Sequence, residues 1–336
     1  MPTTRQRLLQ HLKKSPGQWI SGQQISNQLG ISRTAVWKHI NRLKQDGHAI
    51  DAAPRKGYRL TRAADLLDAE EIQSGLATRI MGQPGVTVLA ETDSTNQQAK
   101  AMAAQGAPEG TLVVADTQTQ GRGRRGRDWF SPPGRSIHAS IILRPLMAPA
   151  QAPRITLMSA VAVARTLIES AGLAATIKWP NDILIDGRKI AGILTEISTE
   201  MDQIDYVVVG LGINVHTRQE ELPAEIAPLA TSIGIEGGAN LTRTQLLCAL
   251  LLQFEACYRQ LVDHGSLPIM KQWRRMTDII GQKVDVDILD TRYTGIVQTV
   301  DDDGVLILKD DQGAIRRILS GDVTRMRSQS RDQARP

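Results

Sequence analysis

The amino-acid sequence predicts a multidomain α+β protein with three folded parts, and three observations support this prediction. The chain has 336 residues, about twice the usual size of one domain. Helical patterns dominate its start, while strands and helices alternate irregularly in the middle. Short alternating strands follow near its end. We therefore predict domains at residues 1–62, 63–275 and 276–327, with a disordered tail at 328–336.

The composition is that of a folded protein without a membrane segment. Hydrophobic residues make up 41% of the chain and charged residues 22%, which argues against a disordered polymer. No apolar run approaches the roughly 18 residues that cross a bilayer, and residues 1–10 are too polar for a signal sequence. These features predict a cytoplasmic protein with no membrane partner. Cys248 and Cys257 are expected to be small buried residues, and no metal site is predicted.

Capping and turn residues divide residues 1–62 into three short helices and a hairpin. Ser21 and Gln24 have the spacing of a capping box, in which side chains satisfy free backbone N–H groups where the second helix starts. Gly30 can end that helix in a left-handed conformation, and Ser32 can cap the next one. Two helices joined by a short turn with glycine form a helix-turn-helix motif, and the hairpin that follows makes it a winged one.

The third helix and the hairpin present basic side chains, in a chain whose net charge of +5 permits nucleic acid ligands without establishing them. Helix-turn-helix proteins place the N-terminal part of this helix against base edges, and a basic hairpin tip suits phosphate contact. The predicted DNA-binding residues are Gly22, Arg33, Thr34, Lys38, His39, Arg55 and Lys56. Trp37 is expected to lie in the core instead. An ordinary helical bundle with a solvated charged face is the alternative.

Residues 63–275 alternate β-rich runs with helical patterns in an irregular order. This order predicts an α/β layer and not a strict parallel repeat of strand and helix. The sequence has no GxxxxGK[ST] phosphate loop, which disfavours a Walker-type ATPase.

Residues 121–127 concentrate positive charge and flexible backbone in one loop. The segment Gly-Arg-Gly-Arg-Arg-Gly-Arg has four guanidinium groups and three glycines, and Asp-Trp-Phe follows it. Guanidinium groups bind phosphate oxygens in pairs, and glycines let backbone N–H groups turn toward an anion. The loop therefore predicts a polyanion site. A disordered RNA-binding tract and a second DNA contact are the alternatives.

A second polar segment, Lys-Trp-Pro-Asn-Asp at residues 178–182, precedes a predicted hairpin. Asp186 and Gly187 have the composition of a two-residue turn, so Lys189 would enter the returning strand close to residues 178–182. A lysine at this place supplies a point charge for a carboxylate or an α-phosphate.

Short strands follow one another in residues 276–327. Val284, Val286 and Ile288 alternate with polar residues, and Asp-Asp-Asp-Gly at residues 301–304 makes a turn between two further runs. Strands at this spacing predict a small β barrel of SH3-like type.

Four segments together resemble the bifunctional biotin ligase and biotin-operon repressor family. They are Glu-Thr-Asp-Ser-Thr-Asn at 91–96, the arginine-glycine loop at 121–127, Lys-Trp-Pro-Asn-Asp at 178–182 and Gly-Arg-Lys-Ile-Ala-Gly at 187–192. The resemblance extends over nearly the whole chain, and the motifs are long, ordered and mutually spaced. It implies a central ligase domain similar to class II synthetases and lipoate ligases.

The resemblance implies an ATP-dependent, adenylate-forming enzyme. Biotin and ATP would form biotinyl-5'-AMP, and the biotin would pass to a lysine of a biotin carboxyl carrier protein or domain, with Mg²⁺ accompanying ATP. It also implies a repressor of biotin synthesis that binds operator DNA as a ligand-linked homodimer, with biotinyl-AMP as corepressor. A lipoate or octanoyl ligase and a non-catalytic biotin-sensing repressor are the alternatives.

The resemblance also assigns residues to the site. The implied biotin-binding residues are Ser94, Thr95, Asn96, Gln118, Arg122, Gly123, Arg124, Lys189 and Gly192. The implied nucleotide-binding residues are Arg124, Trp129, Asn181, Asp182 and Asn214, with Trp129 near the adenine. Arg124 and Lys189 are the expected catalytic residues, because cations offset the charge that develops on phosphoryl oxygens during adenylation.

Overall fold

The computed structural model of the chain describes residues 3–289 and 291–325. The predicted tail at 328–336 lies outside the described residues. The chain divides into two compact units, one ending at Leu66 and the other beginning at Leu67. The three predicted domain boundaries stay predictions. Among the described residues, no helix combines the length and the apolar character needed to cross a membrane.

Three helices and a two-stranded hairpin form the first unit. They are α1 (Thr4–Lys13), α2 (Gly22–Leu29), α3 (Arg33–Gln45), β1 (Ala49–Ala53) and β2 (Gly57–Arg62). The hydroxyl oxygens of Ser21 and Ser32 accept hydrogen bonds from the backbone N–H groups of Gln24 and Ala35, which caps α2 and α3. Gly30 follows α2 with a left-handed φ of 67°. The predicted winged helix-turn-helix is confirmed.

One apolar core holds the first unit together. Val36 and Ile40 of α3 are buried with Leu8 of α1 and Ile25 of α2. Trp37 is 55% exposed, so the prediction that it lies in the core is wrong. It follows Val36 by one residue, and a helical rotation of about 100° per residue turns its side chain off the buried face.

A seven-stranded sheet forms the centre of the second unit. Its strands are β3 (Val86–Thr92), β4 (Leu112–Gln118), β5 (Ser136–Leu143), β6 (Thr176–Lys178), β7 (Asp182–Ile185), β8 (Arg188–Glu200) and β9 (Gln203–Asn214). The spatial order is β3-β4-β5-β9-β8-β7-β6. Strands β3 and β4 are parallel, and all other neighbours are antiparallel. This mixed sheet confirms the predicted α/β layer without a strict parallel repeat.

Helices pack on both faces of this sheet. They are α4 (Ala69–Gly75), α5 (Thr95–Ala104), α6 (Pro153–Ala171), α7 (Arg243–His264) and α8 (Leu267–Met276). Helix α5 shares a small apolar cluster with Val113, Ile142 and Val208. Val114 and Ile141 are the strand neighbours of the first two and point to the opposite face, where they join α6, α7 and α8 in the main core.

A five-stranded antiparallel sheet completes the second unit. Its strands are β10 (Lys283–Ile288), β11 (Thr291–Val300), β12 (Leu306–Asp310), β13 (Ile315–Ile318) and β14 (Asp322–Arg325), in the order β13-β12-β11-β10-β14. The predicted turn before β12 is present, with the Gly304 N–H donating to the Asp301 carbonyl at 3.0 Å. Trp179 Nε1 donates to the Gly304 carbonyl at 3.1 Å and so joins the two sheets. The SH3-like barrel stays a prediction.

Candidate active site

The N-terminal end of α5 carries a buried polar cluster. Thr95 and Asn96 are both 4% exposed. Gln118 Oε1 accepts hydrogen bonds from the Thr95 backbone N–H at 2.8 Å and from its hydroxyl at 3.1 Å. Ser140 Oγ lies 2.6 Å from Asn96 Oδ1, and the Asn96 amide donates to Glu196 at 2.8 Å. These bonds fix the orientation of the cluster, which suits a ligand end that carries both donors and acceptors.

The arginine-glycine loop folds back on itself. The Gly123 N–H donates to the Arg127 carbonyl at 2.6 Å, and the Trp129 N–H donates to the Gly121 carbonyl at 2.9 Å. Arg125 takes a left-handed conformation with a φ of 57°. Because these bonds close the loop into an ordered turn, a disordered RNA-binding tract does not fit this segment.

Three guanidinium groups of the loop converge on one carboxylate of the C-terminal sheet. Arg124 Nη1 donates to the Gly321 carbonyl at 3.3 Å and lies 4.0 Å from the Asp322 carboxylate. Arg125 lies 3.6 Å from the same carboxylate, and Arg127 forms a close ion pair with it. Burial lowers the pKa of Arg124 and the charge of Asp322 opposes that shift. The start of β14 therefore sets the position of the loop.

Lys189 reaches the same region from a tight hairpin. Asp186 and Gly187 have φ values of 47° and 78°, and the two positive angles are those of a type I′ turn. The predicted hairpin is confirmed. Lys189 Nζ lies 2.7 Å from the Asp182 carboxylate, which agrees with the predicted proximity to residues 178–182. Lys189 Nζ also lies 5.4 Å from the centre of the Trp129 ring, within the range of a cation–π contact.

The Trp129 ring lies against a glycine of strand β9. A Cβ atom at Gly212 would stand 2.6 Å from ring carbons of Trp129, so glycine is what leaves room for the indole there. Trp129 Nε1 is buried and meets no hydrogen-bond partner among the described residues. Leaving a buried donor unpaired costs about 1–3 kcal/mol. An acceptor atom of a bound ligand would remove that cost.

One pocket brings most of the predicted residues together. Its lining includes Ser94, Thr95, Asn96, Gln118, Arg122, Gly123, Arg124, Lys189 and Gly192, all of the residues predicted for biotin, and also Trp129 and Asn181. Asp182 reaches the pocket through its ion pair with Lys189. Asn214 does not line it, because its amide donates to the Thr231 carbonyl at 2.9 Å and secures the segment after β9.

Comparison with known proteins covers nearly the whole chain. Residues 88–214 match the biotin/lipoate A/B protein ligase family, residues 4–59 match an HTH domain, and residues 279–326 match the biotin protein ligase C terminal domain. The chain is 42% identical to the bifunctional ligase/repressor BirA of Bacillus subtilis (strain 168), over 96% of this chain and 98% of that protein. The chain belongs to the BirA family. It is also 32% identical to the BirA of Escherichia coli (strain K12), over 92% of this chain and 93% of that protein.

A solved structure is similar in fold to most of this chain. The biotin protein ligase from Aquifex aeolicus, in complex with biotin and ATP, is 29% identical to this chain and superposes with a TM-score of 0.62. The similarity covers 72% of this chain and 99% of that chain.

Strand β5 of this BirA-family chain adds two polar residues to the site that sequence analysis missed. His138 lines the pocket, and Ser140 lies two residues further along, on the same face of the strand. His138 is 1% exposed, and burial lowers its pKa to about 4, so the imidazole is neutral at pH 7. The available signal was three polar residues, Ser136, His138 and Ser140, alternating with apolar ones in this strand.

Carboxylates are sparse around the pocket. The residues that the structure describes contain no group of three or more His, Cys, Asp or Glu side chains that could hold a metal. Mg²⁺ is usually bound through one or two carboxylates together with substrate phosphates. Asp182, which contacts the pocket-lining Lys189, fits a metal ion that arrives with a nucleotide.

Proposed function

We propose that this chain is a biotin protein ligase that also represses transcription of the genes of biotin synthesis. The proposal is supported by 42% identity to a bifunctional ligase/repressor over 96% of the chain. It is also supported by similarity to a biotin protein ligase in complex with biotin and ATP. The observation that carries it is one pocket that combines the buried polar cluster of α5 with two cations, Arg124 and Lys189.

The polar cluster accounts for recognition of biotin. The ureido ring of biotin has one carbonyl acceptor and two N–H donors, and Ser94, Thr95, Asn96 and Gln118 offer hydroxyl and amide partners for them. Because Ser140 and Gln118 already orient these side chains, little conformational entropy is lost when the ring binds. The carboxylate end of biotin then points toward Arg124 and Lys189.

The first chemical step needs alignment and positive charge more than a base. A biotin carboxylate is ionised at neutral pH, attacks the α-phosphorus of ATP and displaces pyrophosphate. Arg124 and Lys189 stabilise the charge that develops on the phosphoryl oxygens. Asp182 would hold Mg²⁺ beside them, and this ion supplies further charge neutralisation when bound. Arg122 and Gly123 close over the adenylate, while Trp129 and Asn181 contact its nucleotide part.

The second step transfers biotin to the carrier. The neutral amine of an acceptor lysine attacks the carbonyl carbon of the mixed anhydride and an amide bond forms. AMP leaves with the electrons of the broken C–O bond, and the amine gives up one proton to solvent. Arg124 and Lys189 again face the leaving phosphate, so the residues that assist formation of the anhydride also assist its cleavage. The carrier partner in this proposal is a biotin carboxyl carrier protein or domain.

The winged helix accounts for the repressor part of the proposal. The residues predicted to contact DNA lie on α2, α3 and the hairpin of one compact unit. Two copies of this unit would reach two operator half-sites if biotinyl-AMP favours a homodimer. Repression would then increase with the amount of biotinyl-AMP that has not yet been used to biotinylate the carrier.

Intact-mass spectrometry tests the ligase activity. The purified chain is incubated with biotin, ATP, Mg²⁺ and a biotin carboxyl carrier domain, and the carrier is expected to gain the mass of one biotinyl group. A carrier whose acceptor lysine is replaced by arginine is the control and should gain none. A second incubation contains lipoate in place of biotin, and a gain of the lipoyl mass would indicate a lipoate ligase instead. An unchanged carrier mass with all reagents present would overturn the proposed ligase.

A further inference from the structure

The third helix of the winged domain exposes a large aromatic side chain. Trp37 is 55% exposed, although Val36 and Ile40 beside it are fully buried in the core of the unit. Most of the indole surface is therefore in contact with water, and covering it would be favourable. Trp37 lies four residues after Arg33, so the two side chains are neighbours on the helix surface.

Trp37 lies in a groove between the helix and the wing, the hairpin of β1 and β2. The groove has a volume of about 770 Å³. Gly22 of α2, Thr34 and Trp37 of α3, and Pro54 and Arg55 at the wing tip contribute to its walls. Among the described residues, no acidic side chain lines it.

The wing is fixed in place, so the groove is formed in advance of binding. Tyr58 of β2 exchanges two backbone hydrogen bonds with Ile20, at 2.8 and 2.9 Å. Arg59 stacks on the Trp19 ring with its guanidinium carbon 4.8 Å from the ring centre, and it forms an ion pair with Asp51 at 2.6 Å. A partner that enters a fixed groove loses less of its binding energy to ordering the protein.

The charge of the unit identifies the partner as a polyanion. Residues 1–66 contain twelve Lys and Arg but only three Asp and no Glu, whereas the net charge of the whole chain is +5. Two of the three acidic side chains, Asp46 and Asp51, are paired with Arg5 and Arg59. A basic groove with an aromatic wall fits a sugar–phosphate chain better than it fits a protein surface.

We propose that this groove holds one sugar–phosphate strand of duplex DNA, and that Trp37 packs its indole against the deoxyribose of that strand. The strand is the one that separates the major groove, which receives α3, from the minor groove, which faces the wing. The inference rests on the proposed DNA-binding function and adds an apolar contact to the basic residues already predicted. Trp37 supplies affinity that does not depend on charge, whereas Arg55 supplies affinity that does.

The salt dependence of binding separates the two contributions. Duplexes are first enriched from a random library with the full-length wild-type protein in the presence of biotin, ATP and Mg²⁺. Affinity is then measured over a series of salt concentrations for the wild type, Trp37→Ala, Trp37→Phe and Arg55→Ala. Gln45→Ala, an exposed change on the same helix outside the groove, is the matched control.

Trp37→Ala is expected to weaken binding about tenfold at every salt concentration, with an unchanged slope of log affinity against log salt. Arg55→Ala is expected to reduce that slope by about one. Trp37→Phe should keep most of the affinity, and Gln45→Ala should bind as the wild type does. Because Trp37 is exposed, thermal unfolding of Trp37→Ala should match that of the wild type, which excludes loss of folding as the cause.

Two results would overturn the inference alone, and a third would also overturn the proposed DNA-binding function. Wild-type affinity in Trp37→Ala would show that the indole does not touch DNA. A loss that appears with a changed salt slope would show that the variant disturbs the basic contacts instead. Failure of the wild-type protein to enrich or bind any duplex would overturn the DNA-binding function itself, and the inference with it.

Discussion

Among the single residues that line the pocket, we predict that Arg124 contributes most to retention of the adenylate. In the proposed complex, replacing it with glycine would remove a charge-assisted bond to the phosphate, worth about 1.5–3 kcal/mol. We expect the adenylate to dissociate about ten- to a hundredfold faster from Arg124→Gly, with little change in folding stability. Stopped-flow or filter-binding release of labelled biotinyl-AMP measures this rate.

Arg125→Gly is the matched control for Arg124→Gly. Arg125 does not line the pocket, and its left-handed backbone accepts glycine without strain. Its release rate should stay close to that of the wild type. Equal release rates for Arg124→Gly and the wild type would contradict the role given to Arg124.

His138 gives the stability of the protein a pH dependence with a defined sign. Its pKa is about 4 in the folded chain and 6.5 as the ordinary value, so the unfolded chain binds the proton first as pH falls. Its contribution to stability is complete above pH 6.5 and decreases toward pH 4, by about 2 kcal/mol at pH 5. Urea unfolding at pH 7 and pH 5 should show this loss in the wild type and less of it in His138→Phe.

His264→Gln is the control for this measurement, because His264 is exposed at the end of α7. It should lose as much stability as the wild type between the two pH values. If His138→Phe and the wild type lose the same free energy of unfolding, His138 is not the buried neutral group described above.

At the scale of elements, Asp322 of β14 anchors the arginine-glycine loop through its contacts with three guanidinium groups. Asp322→Asn keeps the size of the side chain but removes the charge that faces Arg124, Arg125 and Arg127. Because three contacts weaken together, we expect faster amide hydrogen exchange in residues 121–127 of the variant. Bound biotin and ATP should reduce the difference, since phosphates would then contact Arg124.

Amide hydrogen exchange is measured by mass spectrometry, and a second variant of the C-terminal domain serves as the control. Asp311→Asn removes an exposed ion pair with Lys283 that does not involve the loop. In this variant, the amide hydrogens of residues 121–127 should exchange at the wild-type rate. Unchanged exchange in Asp322→Asn would show that the backbone bonds of the loop are sufficient to hold it.

The elements that sequence analysis predicted well are those with local signals. The cap at Ser32, the left-handed Gly30 and the turn at Asp186 each depend on residues a few positions apart, so their chemistry can be read from the sequence. The contact of Arg124 with Gly321 joins residues 197 positions apart, and no local pattern contains it. The exposure of Trp37 was missed although its signal is local, because Trp37 follows the buried Val36 by one residue on α3.

The site itself was predicted in part for the same reason. The arginine-glycine loop and Lys189 lie in motifs whose charge and spacing are visible in the sequence. His138 enters the pocket because β5 lies between β4 and β9, and that order is a property of the whole sheet. Neighbours across a sheet cannot be assigned from one strand, so the burial of His138 could not be foreseen.

At the scale of the whole molecule, the charge that attracts DNA is confined to one unit. Residues 67–336 contain 28 Lys and Arg against 32 Asp and Glu, so the second unit does not add a net positive charge to the basic first unit. We therefore predict that an adenylate bound in the second unit changes DNA binding by favouring assembly of two chains, since each chain would bring one basic winged helix.

This reasoning predicts that biotin and ATP together increase the affinity for operator DNA. Coupling of this kind usually changes affinity about 5- to 150-fold, and we expect a change in that range with a steeper dependence on protein concentration. Titration of an enriched duplex with and without the two ligands measures the change in affinity. Sedimentation of the protein in the absence of DNA, with and without the ligands, reports the dimer. Arg124→Gly, which we expect to release the adenylate faster, should need more ligand for the same effect. Identical affinities with and without ligand would remove the regulatory part of the function while leaving the ligase in place.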